Sequence, residues 1–331
     1  MSDIGIVFED DPQFFRPIED ELWKKHKVAV FAPRFIRAPV IGLSANKALL
    51  DIQLAQFLRN RAVVVFEWAG SLLVKASHMR KRCPIICRLH SIELAVTAPL
   101  VDWSRVDIVI VPSDHIKRRL FAVAKTPPKS VVVIPYGVNL DRFHGTQRQH
   151  GYRLGMLCSL FPVKRIYEAI LTVAELRQDG HPFVLDVVGS TGTEDALRYF
   201  WAMQSLIDKL ELHDAVTLRG YQQNIDTWHH DIDVFISNSY WEGQQVALLE
   251  AMASGCFCLS HFWGGVEEVL PAENIFVTSR DLRSKLLNYA SLHDEDRISL
   301  QRSMRALAEA RFDERRMVQE VIEQIEQAAT P

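Results

Sequence analysis

The sequence predicts an α/β protein made of two doubly wound domains in tandem, and three observations lead there. Short β-branched apolar runs alternate with longer amphipathic segments along the whole chain. The runs are continuously apolar rather than alternating, which suits a parallel sheet covered by helices on both faces. One polar, glycine-punctuated stretch, residues 140–153, breaks the rhythm and reads as an interdomain connection. Before it, strands are expected at residues 4–8, 28–32, 62–66, 85–90, 107–111 and 131–135, with amphipathic segments at 13–26, 46–59 and 115–123. After it, strands are expected at 153–159, 183–188, 216–218, 234–237, 256–260 and 274–277. The tail reads as an amphipathic helix with Asp313 as N-cap and Val318, Val321, Ile322 and Ile325 as its buried stripe. The expected domains are therefore 1–140, a linker at 141–152, 153–311, and a helix at 312–331 that packs back toward the first domain. In such folds ligands bind at the C-terminal ends of the strands and in the cleft between domains.

Bulk properties narrow the class. A chain of 331 residues with 48% hydrophobic and 24% charged residues has ample core for two ordinary domains. No apolar run approaches the ~20 residues of a spanning helix, and the first eight residues do not read as an export signal. The five cysteines are an odd number without metal-finger spacing, which points to buried free thiols in a reducing cytoplasm. The net charge of −3 hides an asymmetry: residues 1–140 carry 20 Lys and Arg against 13 Asp and Glu. Arg80-Lys81-Arg82 and Lys117-Arg118-Arg119 supply much of that excess, so this half can face phosphates or make peripheral contact with an anionic inner membrane face, with two solvated helix ends as the equal alternative. No aromatic-basic interleaving suggests nucleic acid.

The most telling stretch runs from Trp241 to Gly255. Glu242 and Glu250 stand eight residues apart, and Glu250 falls in an otherwise apolar segment where a charge needs a partner. The run reads as loop, Gly243, then a helix closed by Gly255, which sets free backbone N–H groups beside Glu242. Carboxylates suited to hydroxyls, beside amides suited to phosphate, point to a sugar nucleotide; a buried helix whose Glu caps a neighbouring loop is the alternative.

Four stretches then carry a resemblance. They are 109–117 (Val-Ile-Val-Pro-Ser-Asp-His-Ile-Lys), 133–143 (Val-Ile-Pro-Tyr-Gly-Val-Asn-Leu-Asp-Arg-Phe), 157–164 (Leu-Cys-Ser-Leu-Phe-Pro-Val-Lys) and 242–255 followed by 264–270. In this order they resemble the retaining glycosyltransferases of family 4, over roughly residues 105–325. The resemblance implies the GT-B fold of two facing Rossmann-like domains and metal-independent transfer from a nucleoside-diphosphate sugar. It places Glu242 against hydroxyls of the donor sugar, Glu250 on the ribose, and Lys164 on the diphosphate. A surface lysine at a helix start is the plain alternative for Lys164, and the positive helix end disfavours it. Gly243 and the amides of Gln244, Gln245 and Val246 would complete the phosphate cradle, with Gly220 and Tyr221 near the base. His90 matches a family histidine that reaches toward the reacting sugar, a satisfied structural histidine being the alternative; from topology alone Glu67, Trp68 and Asp10 would lie on the acceptor side, against a packed Trp with a solvated Glu.

The departures are as informative. Ser159 stands where many members have arginine, and Arg165 follows Lys164 where glycine is usual. Gln244 and Gln245 replace a common Phe-Gly pair, and residues 9–12 (Glu-Asp-Asp-Pro) replace a glycine-rich loop. The expected activity is a front-face retaining transfer to a hydroxyl of a glycan or lipid-linked acceptor, with Lys164, Glu242 and His90 as catalytic residues. No cofactor or metal is required by it. An idle sugar-nucleotide-binding or assembly subunit of the same fold, or a nucleotide-sugar hydrolase or epimerase, are the competing expectations.

Overall fold

A computed structural model describes residues 1–9, 12–35, 42–146 and 151–330 of the chain. The strands are β1 (Asp3–Phe8), β2 (Lys27–Val30), β3 (Val63–Glu67), β4 (Ile85–Arg88), β5 (Ile108–Val111), β6 (Val131–Val133), β7 (Arg153–Leu157), β8 (Val184–Val188), β9 (Val216–Gly220), β10 (Val234–Ser237), β11 (Phe257–His261) and β12 (Ile275–Phe276). The helices are α1 (Arg16–Lys25), α2 (Gly42–Arg59), α3 (Ser71–His78), α4 (Asp114–Val123), α5 (Ile166–Gln178), α6 (Glu194–Lys209), α7 (Ile225–His230), α8 (Val246–Ala253), α9 (Ser279–Ser291), α10 (Asp294–Arg311) and α11 (Glu314–Ala329). Every expected strand is present, and every strand pairing is parallel, as continuously apolar runs require.

The chain divides into two units, one formed by Met1–Tyr136 with Arg315–Pro331 and the other by Gly137–Glu314. Each contains one six-stranded sheet. In the first, the order is β2-β1-β3-β4-β5-β6, so the winding reverses between β1 and β3. In the second, the order is β12-β11-β10-β7-β8-β9, and the reversal falls between β7 and β10. Loops leaving neighbouring strands at a reversal diverge to opposite faces of the sheet and leave a crevice there.

Local chemistry fixes several boundaries. The Ser113 hydroxyl accepts from Ile116 N–H at 3.2 Å and starts α4. Gly255 adopts φ 75° just past α8, as a helix-terminating glycine should. The tail helix α11 buries Met317, Val321, Ile322 and Ile325 against Ile4, Ile6, Phe15, Ile18 and Leu22 of the first unit. Met317 takes the innermost place that periodicity gives to Val318, which is only partly buried.

Where the chain enters the second unit, two segments run side by side. Val138 N–H donates to Phe312 C=O at 2.8 Å, and Glu314 N–H donates to Val138 C=O at 3.1 Å. A Cβ at residue 137 would stand 2.3 Å from Glu314 Cα, so glycine alone fits. Gly137→Ala is expected to destabilise the protein by about 1–3 kcal/mol, as overpacking against backbone does. Gly192→Ala, where a Cβ meets nothing within 4 Å, should be near neutral in the same urea titration.

Candidate functional site

The crevice at the β7/β10 reversal is shaped by two loops that hold each other. After β7 the chain bonds to the end of β8, Cys158 N–H to Val188 C=O at 3.0 Å and Leu160 N–H to Ser190 C=O at 3.1 Å. Gly189 permits this, since a Cβ there would lie 1.8 Å from the Cys158 carbonyl oxygen. Residues Pro162–Lys164 form a single 3-10 turn, and Arg165 then adopts a left-handed conformation, φ 51° and ψ 41°. This is the position where glycine is usual in the family resembled, and the backbone keeps the glycine-like shape with an arginine in it. From the loop after β10, the buried Asn238 amide donates to the Arg165 carbonyl at 2.8 Å, and Tyr240 N–H donates to the Val163 carbonyl at 3.3 Å.

The result is the central contact of this unit. Lys164 Nζ lies 2.5 Å from Glu242 Oε1, with only 18% and 12% of the two side chains exposed. The neighbouring Cys158 thiol is pushed up to about 12 by burial, opposed by Lys164 and reinforced by Glu242, so it is no nucleophile. Gly243 brings the chain into α8 with Gln244 and Gln245 buried, and no side chain caps the helix at Gln245. The first turn of α8, from Val246, thus presents amides and a partial positive charge next to Glu242. Gln245 Oε1 is buried without a hydrogen-bond partner among the described residues.

Glu250 lies one turn into α8 and is half-buried. No protein group among the described residues donates to its carboxylate, and burial pushes it up to about 7 against the opposing charge of Arg142. Arg142 itself reaches Gln223 C=O and Asp226, each at 3.5 Å. Gly220, at φ 70°, accepts from Gly189 N–H at 3.1 Å, and Tyr221 beyond it is 77% exposed. Ser159 is exposed, and its carbonyl accepts from Phe161 N–H at 2.8 Å. The structure therefore joins Lys164 to Glu242 directly, gives Arg165 its own partner in Glu168 at 3.7 Å, and leaves Glu250 in the field of Arg142. Arg142 and Asn238 are functional candidates that the sequence reading passed over. Arg142 was quoted within the 133–143 stretch, and Asn238 opens a polar run directly after an apolar strand.

In the first unit, Glu67, Trp68 and His90 come together at the ends of β3 and β4. Glu67 is not solvated but 1% exposed, and its Oε1 lies 2.9 Å from His90 Nε2. Trp68 takes φ 83° and stacks on the His90 ring at 3.9 Å between centroids. The Glu93 carboxylate accepts from Ala69 N–H at 2.7 Å and His90 N–H at 2.9 Å, and burial pushes it up to about 8. Glu9 accepts from Leu72 N–H at 2.7 Å and from the Ser71 hydroxyl at 2.8 Å, so a carboxylate occupies the N-terminus of α3. Asp10 lies outside the described residues. Among the described residues no group of three or more His, Cys, Asp or Glu could hold a metal ion. A separate groove of about 710 Å³, lined by Phe257, Leu270, Tyr289 and Met304 among others, includes none of these side chains.

Two family models match the chain in succession. Residues 9–142 match one described as Glycosyltransferase Family 4, and residues 151–290 match one described as Glycosyl transferases group 1. WcaL of Salmonella typhimurium, named as a colanic acid biosynthesis glycosyltransferase, is 29% identical over 181 residues, 51% of this chain and 43% of its own length. The match thus spans about half the length of that relative. Among solved structures, a sucrose-phosphate synthase from Thermosynechococcus elongatus superposes with a TM-score of 0.80 at 16% identity over 99% of both chains. HepE from Anabaena, in complex with UDP and glucose, gives 0.80 at 16% identity over 99% of this chain and 100% of its own. Likeness at that identity speaks for the fold: two Rossmann-like sheets of the GT-B type.

Two outcomes follow from the geometry. Arg165→Gly should raise stability by about 1 kcal/mol, because a left-handed arginine is strained by roughly that amount. Paired calorimetry on the two proteins reads it. For Glu250, a folded-state value near 7 lies above the ordinary 4.5, so the folded protein binds the proton more tightly than the unfolded chain. Its contribution to stability is present at low pH and is lost as pH rises from about 4.5 through 7. Glu250→Gln should flatten that part of the stability profile and make the ligand-free protein more stable than wild type at pH 8. Glu93 leaves a residual slope below pH 8 in both.

Proposed function

The chain belongs to glycosyltransferase family 4, and from that premise we propose that it transfers a sugar from a nucleoside-diphosphate sugar to a hydroxyl of a glycan or lipid-linked acceptor, with retention at the anomeric carbon. The single observation that carries this is the Lys164–Glu242 contact beside the uncapped start of α8. A cation, a row of amides and an uncapped helix end suit a diphosphate, and Glu242 suits sugar hydroxyls. Glu250, half-buried and without a donor among the described residues, suits ribose hydroxyls, whose O–H groups would donate to it. A UDP-sugar is the favoured donor class, in keeping with the UDP and glucose held by HepE. An acceptor from polysaccharide assembly agrees with the role named for WcaL.

For the mechanism, the chain's own residues favour a front-face course. Glu242 is engaged by Lys164, Glu250 lies on the Arg142 side, and Cys158 stays protonated, so none of the three is set as a nucleophile. Lys164 and the α8 amides would instead stabilise charge growing on the leaving diphosphate, whose oxygen takes the acceptor's proton. No helix among the described residues is long and apolar enough to cross a membrane, and peripheral contact through the basic half is part of the proposal.

Lys164→Ala should lower turnover at least about a hundredfold, the usual cost of removing one preorganised donor at developing charge, with the fold intact. Incubation with a panel of nucleotide sugars and acceptors reads it as acceptor-dependent release of nucleoside diphosphate. Near-native turnover in the variant would take Lys164 out of the reaction, and binding without any release by wild type would favour the idle-subunit reading.

A further inference from the structure

The His90 ring is gripped at both nitrogens by residues distant in sequence. Glu67 Oε1 stands 2.9 Å from Nε2, and the same oxygen accepts from Arg88 Nη1 at 2.7 Å. On the other side, the Tyr136 hydroxyl lies 2.5 Å from Nδ1. Arg88 also donates to the Phe14 carbonyl at 3.2 Å and lies over the Tyr136 ring at 5.1 Å, closing the circle. Glu67, Arg88 and His90 are 1%, 3% and 6% exposed.

The proton positions follow from the chemistry of the partners. Glu67, ion-paired with Arg88, is a carboxylate and only accepts, so Nε2 carries the hydrogen. Burial pushes the Tyr136 phenol up, so it keeps its O–H and donates to Nδ1, which is bare. We propose that Glu67 is a positioning residue: with Tyr136 it locks His90 as the Nε2–H tautomer in one ring orientation, so that His90 offers the reaction a fixed imidazole and not a proton carrier. Burial holds His90 below its ordinary value, against Glu67 and with Arg88, which agrees with an uncharged ring. Both ring nitrogens are used within the first unit, and Trp68 blocks one face. A general acid or base needs a free lone pair or a transferable hydrogen facing the substrate, and this ring has neither to spare. For its kinetic readout alone, the proposal rests on the transferase reading.

The test is nitrogen-15 NMR of histidine-labelled, full-length protein, with the His90 signals identified by their loss in His90→Gln. Wild type should show a protonated Nε2 and an unprotonated Nδ1 that do not change between pH 5.5 and 8.5. Glu67→Ala should mix the tautomers and let the ring titrate, with kcat lowered and donor KM unchanged. Glu67→Gln keeps an oxygen that accepts from Nε2–H, so it should restore the tautomer and most of kcat; a residue needed only as counter-ion to Arg88 would not be rescued by it. If Glu67→Ala does not fold, Tyr136→Phe removes the opposite bond and should shift the Nδ1 signal while Glu67 alone keeps the hydrogen on Nε2; a hydrogen that moves to Nδ1 in this variant overturns the proposal. A wild-type ring that titrates or carries its hydrogen on Nδ1 overturns the proposal, as does Glu67→Ala with unaltered ring signals. Should no nucleotide sugar support turnover, the NMR result still decides.

Discussion

The reversal of winding between β7 and β10 is the constraint on which the rest of the second unit depends. It sends two loops apart from adjacent strands, and the chain then has to tie them together again, through Asn238 to the Arg165 carbonyl and Lys164 to Glu242. A half-buried ion pair of this kind roughly breaks even, because desolvation offsets attraction. That balance matters for function. On the proposed reading, a pair that contributes little net stability holds the lysine in place and would exchange its carboxylate for a diphosphate at small cost. A deeply buried, fully satisfied pair could not make that exchange.

The first unit treats charge at its strand ends differently. Glu9 fills the start of α3, Glu93 takes the amides of Ala69 and His90, and Glu67 binds both Arg88 and His90. Each carboxylate is engaged by the protein itself, Glu67 through one oxygen only. A glycine-rich loop would leave the α3 amides open to an anion, whereas Glu9 closes them with a carboxylate from the same chain. The uncapped start of α8 has no counterpart at α3, where Glu9 accepts from the first-turn amides.

The strands and the order of the motifs were legible because a parallel sheet writes itself as apolar runs of fixed length, and because Glu242 to Gly255 combines a turn, a helix start and a buried acid within fourteen residues. Arg165 was legible as a departure, and its left-handed backbone supplies the reason glycine is favoured there. What could not be read was anything decided by partners far apart in sequence. Glu67 looks like a surface acid at a strand end until β4 brings Arg88 alongside in register. Tyr136 lies inside a recognised stretch, yet its hydroxyl bonds a histidine 46 residues earlier. Arg142 meets the field of Glu250 only after the linker folds against the second unit.

Strain completes the argument. Among the described residues three that are not glycine have positive φ, and two of them, Trp68 and Arg165, stand in loops at these strand ends. Each left-handed residue is disfavoured by about 1–2 kcal/mol, so it persists only where surrounding contacts overdetermine it. Trp68 is held by its N–H on the Arg88 carbonyl at 3.1 Å and by its ring on His90. Arg165 is held by Asn238. Beside them, Trp68 Nε1, Glu67 Oε2 and Gln245 Oε1 are buried without partners among the described residues. Strained backbone and unmatched polar atoms both lower stability, and here they recur at the strand ends where the fold class places its ligands. A sequence selected for stability alone would have put glycine at 165 and left neither orphan beside His90, so the arrangement is best understood as shaped by what the strand ends must hold.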